Sequence, residues 1–435
     1  MARIPNSTVG RTGLPAALRL LYNLLFLLCL PLVCGYYLLA SVIKSRRIYR
    51  VKERFGRYRP RATDAWHIHG VSLGEVMLAL RLGQELERAT GIPVVYTTTT
   101  DTGFQYLLAH CPAAQVHAFP LDNVLFAGAF FRRLKPMACI MMETEIWPEF
   151  ISQAQRRGVP LFLANARLSQ RSLPRYRRLG FLFRPLLNAF AGIYTQTEQE
   201  KDKFLAFADP DRVQVTGNLK YDLMDSPDSN KLDALKQQLD LPADSLVLVA
   251  GSTFAAEEQA ICSAFGRLKA SFPRLRLVLA PRHAHRFDEV HQYVRGLGFT
   301  VTRRKQESGP RDWDIMLLDT IGELRYVYAL ADVAFVGGSL IPLGGHNILE
   351  PAFWGRPVLT GPYYFNFKEI MADFVAARAV CVVSGADTLH PALADLLASA
   401  DRRLELGQRA RQCFLKGRGA AGRTAAAIGQ SCGTV

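Results

Sequence analysis

Residues 336–367 read VGGSLIPLGGHNILEPAFWGRPVLTGPYYFNF, and no other stretch of similar length in this 435-residue chain is as dense in glycine, proline and polar punctuation. The apolar run 331–336 predicts a strand ending at Gly337 and Gly338, where missing side chains leave backbone N–H groups open to an anion. Gly344 and Gly345 then precede His346 and Asn347, and 348–354 predicts a helix whose first N–H groups face the same loop. Glu350, in its first or second turn, can accept two ribose hydroxyls while the loop and the helix end take a phosphate. A glycine-rich turn, with Glu350 complementing the helix dipole, is the plainer alternative. The presence of His346, Asn347 and Glu350 on one loop favours a nucleotide pocket.

Working outward, three more strand patterns end in chemistry-bearing loops. Residues 246–250 run into Gly251-Ser252-Thr253, 275–280 into Pro281-Arg282-His283, and 315–318 into Asp319-Thr320-Ile321-Gly322-Glu323. Four such strand ends in one parallel sheet enclose one ligand, with Arg282 the natural phosphate partner. The first half alternates in the same way: strand 66–71, helix 76–89, strand 94–98, helix 102–109. Alternation of this kind predicts an α/β chain with parallel sheets. YDLMDSPDSNK at 221–231 reads as the connection between two domains.

In the first half, ligands are expected beyond the carboxyl ends of strands, where HGVSLGE (69–75) and MMETEIWP (141–148) fall. Ser72 and Glu75 form the S-x-x-E pattern of a capping box, in which the Glu75 side chain serves the Ser72 backbone N–H. The same carboxylate, on a turn opened by Gly74, is placed to act as a general base. Glu143 and Glu145 end the strand 138–142 and crowd negative charge, which requires nearby cations or shared protons. Arginines follow in NARLSQR (165–171) and at 175, 177, 178 and 184, either as a solvated basic face or as a surface for a phosphorylated acceptor. Lys220, just past the strand pattern in VQVTGNLK, is a surface lysine or a cation for a phosphate or carboxylate.

Residues 1–61 hold twelve Lys or Arg against Glu53 alone, so +11 of the formal +15 belongs to this end and only +4 to the other 374 residues. That distribution, with no base-reading motif, argues against nucleic-acid binding. No charge interrupts 20–43, long enough to cross a bilayer; the segment is expected to stay as an anchor rather than be cleaved, and Pro31 leaves a kinked or interfacial course open. Nine basic residues between Lys44 and Arg61 follow it, placing the body in the cytoplasm. The eight cysteines form no C-x-x-C pair and no zinc pattern, which fits reduced thiols. Asp312-Trp313-Asp314 and Asp209-Pro210-Asp211 match a metal-binding D-x-D, but both precede strands, so no metal is expected.

Ten motifs in order, HGVSLGE, METEIWP, NARLSQRS, TGNLKYD, AGST, LAPRH, DTIGEL, FVGGSL, GGHNILEPA and GPYYFNF, make the chain from the anchor to about residue 400 resemble the lipid A 3-deoxy-D-manno-octulosonic acid (Kdo) transferases of Gram-negative bacteria. The resemblance implies the GT-B fold, two Rossmann-like domains facing across a cleft: an anchor and basic flank at 1–61, an acceptor domain at 62–225 and a donor domain at 226–425. It implies metal-independent, inverting transfer of Kdo from CMP-Kdo to a lipid A precursor of the lipid IVA type at the bacterial inner membrane, cytoplasmic side, with no cofactor. Glu75 resembles the family's base, and Glu143 and Lys220 its transition-state stabilisers. Pro281, Arg282, Ile321, Gly322, Glu323, Asn347, Ile348, Leu349 and Glu350 resemble its CMP site. Phe254 stands where the family often has His. The rival readings are a sugar-nucleotide epimerase on the same fold, which has no use for an anchor, and a membrane-tethered nucleotide sensor, which has no use for Glu75 and Glu143.

Overall fold

The computed structural model describes residues 13–43, 50–59, 63–224, 228–239, 241–242, 244–305 and 312–435. Of the basic flank, Lys44, Arg46, Arg47 and Arg61 lie outside the described residues, as do 225–227 of the connection. Strands with apolar residues on both faces must be covered on both faces, which favours a parallel sheet wrapped by helices. In the first unit, Trp66, Ile68, Ala138, Ile140, Phe162 and Ala164 enter one apolar core, while Cys139, Met141, Leu161 and Leu163 enter another on the opposite face. The alternation follows the two-residue period of a strand.

The first unit's strands are β1 (Trp66–His69), β2 (Val94–Thr98), β3 (Val116–Ala118), β4 (Ala138–Met142), β5 (Leu161–Ala166), β6 (Gly192–Thr195) and β7 (Val213–Val215). Those of the second unit are β8 (Leu246–Thr253), β9 (Leu275–Pro281), β10 (Val301–Arg303), β11 (Ile315–Leu317), β12 (Val333–Val336), β13 (Val358–Thr360) and β14 (Cys381–Val382). They assemble in the orders β3-β2-β1-β4-β5-β6-β7 and β10-β11-β9-β8-β12-β13-β14, and every pairing is parallel. In each sheet the first strand lies inside: the chain fills one side of it, then returns to build on the other. The reversal falls between β1 and β4 and between β8 and β12, the points where such sheets open a crevice at their carboxyl ends.

The units comprise 1–223 with 418–435, and 224–417. The return at Arg418 departs from a second domain running to residue 425. No linker composition marks it, because the connection is a side-chain cap: Asp222 accepts the N–H groups of Gly419 and Ala421, both at 2.7 Å. The small-residue helix Ala420–Cys432 then joins the core that contains Leu78, Leu82 and Leu86 of the helix Leu73–Thr90. Four expected elements are shorter, among them β1, which stops at His69, and β11, which stops at Leu317. β12 starts at Val333, because a 3-10 turn (Tyr328–Leu330) precedes it, and the helix expected at 348–354 covers only Leu349–Phe353.

Candidate active site

β1 ends at His69, and Gly70 brings the following loop against the next helix: a Cβ there would lie 2.9 Å from the carbonyl carbon of Glu75. Ser72 caps that helix by accepting the Glu75 N–H at 3.3 Å. The Glu75 carboxylate reaches back to the Val71 N–H (2.9 Å) and the Ser72 hydroxyl (2.8 Å). It therefore meets Val71 rather than the expected Ser72 N–H, because the close loop presents the earlier amide. His69 of the same motif is a core residue, stacked on Phe119 and bonded to Thr97; burial holds its imidazole down to about 3.

Glu143, one residue beyond β4, has a left-handed backbone (φ 55°), a conformation that costs energy in a residue with a Cβ and persists only when neighbours fix it. Arg167 fixes it, with Nε and Nη2 at 2.8 and 2.7 Å from Oε2. Burial raises the Glu143 carboxyl above its ordinary range, Arg167 and Lys220 oppose the rise, and the charge of Glu75 adds to it. Burial pushes Glu145 up to about 7, and the Glu75 charge is the next cause. Glu75, Glu143, Glu145, Arg167 and Lys220 thus form one electrostatic cluster at the switch point. The exposed Arg175, Arg177, Arg178 and Arg184 lie on the short helices Leu173–Arg178 and Gly180–Leu187, with Phe181 exposed beside them.

In the second unit the glycine loop departs from expectation. Its N–H groups do not await a phosphate: Glu257, fully buried, accepts Gly338 N–H (2.8 Å) on one oxygen and Ser339 (2.8 Å) and Leu340 (2.9 Å) on the other, plus Phe254 N–H at 3.2 Å. A side-chain carboxylate occupies the place of the expected anion. Gly337 is required, since a Cβ there would come within 2.5 Å of Ser252 O, where a register shift between Gly251 and Thr253 bulges β8 and turns Ser252 left-handed (φ 56°). Phe254 stacks on His346 (8° between planes, centroids 5.8 Å apart) and meets His283 edge-on.

The open space lies beside this loop. A pocket of 340 Å³ is lined by Ser252, Pro281, Arg282, Ile321, Gly322, Arg325 and Glu350, among others. Burial lifts the Glu350 carboxyl to about 7, against the Asn347 amide (3.4 Å) and the charges of Arg325 and Arg282. Of the expected donor residues, the pocket gathers Pro281, Arg282, Ile321, Gly322 and Glu350. Ile348 and Leu349 are buried in the core, so only their backbones can face a ligand, and Asn347 accepts the Leu349 N–H at 3.2 Å. The Glu323 carboxylate pairs with Arg304 (3.0 and 3.1 Å). Three of the four D-x-D carboxylates pair too: Asp312 with Arg276, Asp314 with Lys269, Asp209 with Arg212. Among the described residues no group of three His, Cys, Asp or Glu is placed to hold a metal ion.

Three residues emerge only here: Arg167, Arg325 and Glu257. Arg167 was one of many arginines. The sole signal for Glu257 was its position three residues after a helix cap, but the cap is Phe254, whose side chain accepts nothing, so the capping-box pattern does not flag it.

A family model described as 3-Deoxy-D-manno-octulosonic-acid transferase (kdotransferase) matches residues 49–223. The 3-deoxy-D-manno-octulosonic acid transferase of Haemophilus influenzae is 34% identical over 411 residues, 92% of this chain and 96% of that protein. That of Bordetella pertussis is 36% identical over 401 residues, 86% of this chain and 90% of that protein. Among solved structures, the UDP-GlcNAc 2-epimerase of Neisseria meningitidis bound to UDP-GlcNAc matches 84% of this chain and 98% of its own, with a TM-score of 0.57. At 15% identity that likeness extends to the fold alone.

Proposed function

The chain belongs to the 3-deoxy-D-manno-octulosonic acid (Kdo) transferases and is a glycosyltransferase; from that premise we propose that it transfers Kdo from CMP-Kdo to a hydroxyl of a lipid A precursor of the lipid IVA type, in lipopolysaccharide biosynthesis, with inversion and without a metal. The observation that carries the donor half is the 340 Å³ pocket that Arg282 and Glu350 line together. A cytidine monophosphate fits such a site chemically, with Arg282 on its phosphate and Glu350 on its ribose hydroxyls. CMP-Kdo bears a single phosphate, so one guanidinium with backbone donors can neutralise it where a diphosphate would call for a divalent ion.

In this mechanism Glu75 takes the proton of the acceptor hydroxyl as its oxygen attacks the anomeric carbon of Kdo. The bond from that carbon to the phosphate oxygen breaks on the opposite face, CMP leaves with the electron pair, and the configuration inverts. Glu143, coupled by charge to Glu75 and to Lys220, stabilises the transition state together with Lys220. The shared cluster supports these roles, as does the Glu75 carboxylate, which accepts one hydrogen bond on each oxygen and keeps lone pairs for a hydroxyl proton. Asn347, Ile348 and Leu349 contribute backbone groups, and Glu323 acts through its hold on Arg304.

Among the described residues one helix is apolar enough for membrane association, with a stretch at Ala16–Tyr36 of mean hydropathy 2.1. With the basic flank, it supports an inner-membrane enzyme whose catalytic units face the cytoplasm. Incubation with CMP-Kdo, a lipid A precursor and EDTA should add the mass of Kdo to the lipid and release CMP. Isomerised sugar nucleotide with no lipid product would favour an epimerase, and CMP binding without turnover a sensor.

A further inference from the structure

The amino-terminal helix, Ala16–Ile43, carries Arg19, Tyr22 and Asn23 near its start and on one face. Arg19, Tyr22 and Asn23 stand three and four residues apart, the spacing that aligns side chains on a helix. Each meets a buried partner in the first unit. Arg19 Nε donates to Glu149 Oε2 at 2.8 Å, with a second ion-pair contact from Nη2 to Oε1, and Asn23 Nδ2 donates to Glu149 Oε2 at 2.8 Å. Asn23 Oδ1 accepts Asn123 Nδ2 (3.0 Å) and the Val124 N–H (2.7 Å), and Tyr22 donates to Asp122 at 2.8 Å. Glu149 and Asn123 are fully buried. Leu14, just before the helix, packs against the apolar core beneath. Along the other face Leu20, Leu24, Leu28 and Leu32 are exposed, the last two by 75% and 76%.

The far end is tied to the same unit. Arg50 donates to Val116 O (2.5 Å) and Ala113 O (2.9 Å) and pairs with Glu53, which itself accepts the Ala118 N–H. Six residues separate Ile43 from Arg50, a tether of at most about 25 Å. From Asn23 to Ile43 the helix runs about 30 Å, the thickness of the hydrocarbon layer. With Asn23 docked on the body, a crossing helix would leave Ile43 on the far side. The tether, KSRRIY at 44–49, shorter than that thickness even fully extended, would then have to recross the hydrocarbon with three cations.

We infer that this helix does not cross the bilayer: it lies along the membrane surface, clamped to the first unit through Arg19, Tyr22 and Asn23, with its leucine face in lipid. The inference rests on the membrane association proposed above and not on the donor or acceptor chemistry. It puts both ends of the helix on one side, consistent with basic residues before and after the apolar stretch. It also fixes the first unit's distance from the lipid, which a lone spanning helix on a tether would not do.

Two measurements on the full chain test it. With Cys29→Ser and Cys34→Ser, a Ser7→Cys variant in intact spheroplasts is exposed to a membrane-impermeant maleimide. Label should appear only after lysis, and label on intact spheroplasts would overturn the inference. Second, Arg19→Ala and Glu149→Ala should each lower the Tm of the detergent-solubilised protein by a few degrees. The double variant should fall by clearly less than the sum, and additive losses would mean that the clamp does not exist. Kdo transfer by the same variants, measured in detergent, keeps failure of this inference separate from failure of the proposed reaction.

Discussion

In the first unit the loops after β1 and β4 bring Glu75, Glu143 and Glu145 to the point where strand order reverses. In the second, the loops after β8 and β12 bring backbone N–H groups, with Arg282 nearby after β9. Each unit also holds a left-handed non-glycine residue by its reversal point, Glu143 after β4 and Ser252 in β8. The difference lies in how charge is managed. The acidic cluster is only partly neutralised, by Arg167 and Lys220, and the carboxyls of Glu143 and Glu145 are held above their usual range. The glycine loop is already neutralised by Glu257, so the cation that remains for a ligand is a side chain on a neighbouring strand end. A parallel sheet thus supplies the position and leaves the sign of the chemistry to the loops.

The comparison breaks most visibly at Glu75. Glu75→Gln keeps an acceptor for the Val71 N–H, so Tm and CMP affinity should stay near wild type, while Kdo transfer falls 10²–10⁴-fold, about 3–5 kcal/mol of barrier. Near-normal turnover in the folded variant would return Glu75 to its capping role and move the base to Glu143 or Glu145. In the second unit, Glu257→Gln turns an amide NH₂ toward two of the four N–H groups that the carboxylate accepts. Thermal or denaturant unfolding should show a loss of about 2–4 kcal/mol, with CMP binding weakened as the loop loosens. Unchanged stability would mean that another group replaces the carboxylate there.

Arg282→Ala removes the charge-assisted bond proposed for the donor phosphate. Calorimetry should show CMP affinity falling by about 1.5–3 kcal/mol with folding unaffected, whereas Arg167→Ala, in the other unit, should leave CMP binding alone and slow transfer. Equal effects of the two on CMP binding would erase the division of labour. The smallest effect is a pH dependence. The free Glu350 carboxyl titrates near 7 because burial raises it, and ribose hydroxyls donate to its ionised form. CMP affinity should therefore rise from pH 6 to pH 8, by up to about tenfold, and level off above, with Glu350→Gln flattening the curve. A flat wild-type profile would take Glu350 out of ribose binding.

Much of the site was legible because parallel α/β sheets put ligands at strand ends, and strand ends are punctuated by residues that stand out in a sequence. Gly337, Arg282, Glu350, Glu75 and Glu143 were found that way. What was misread follows from the same locality. The N–H cradle at Gly338 looked open because its occupant, Glu257, stands 81 residues away. Ile348 and Leu349 belonged to the motif, but their burial depends on the core around them. The helix Ala420–Cys432 looked like the end of the second domain, and only the Asp222 cap returns it to the first.

The sequence by itself determined the class of fold, the loops that carry chemistry and the family, because apolar periodicity, glycine placement and motif order are properties of neighbours along the chain. Tertiary structure alone decided which polar groups are already satisfied: Glu257 on the glycine loop, Arg167 on Glu143, Glu149 and Asp122 on the amino-terminal helix. A carboxylate is available for catalysis, closes a loop or clamps an anchor according to the partners that folding brings within about 3 Å, and those partners lie too far along the chain for local pattern to reveal them.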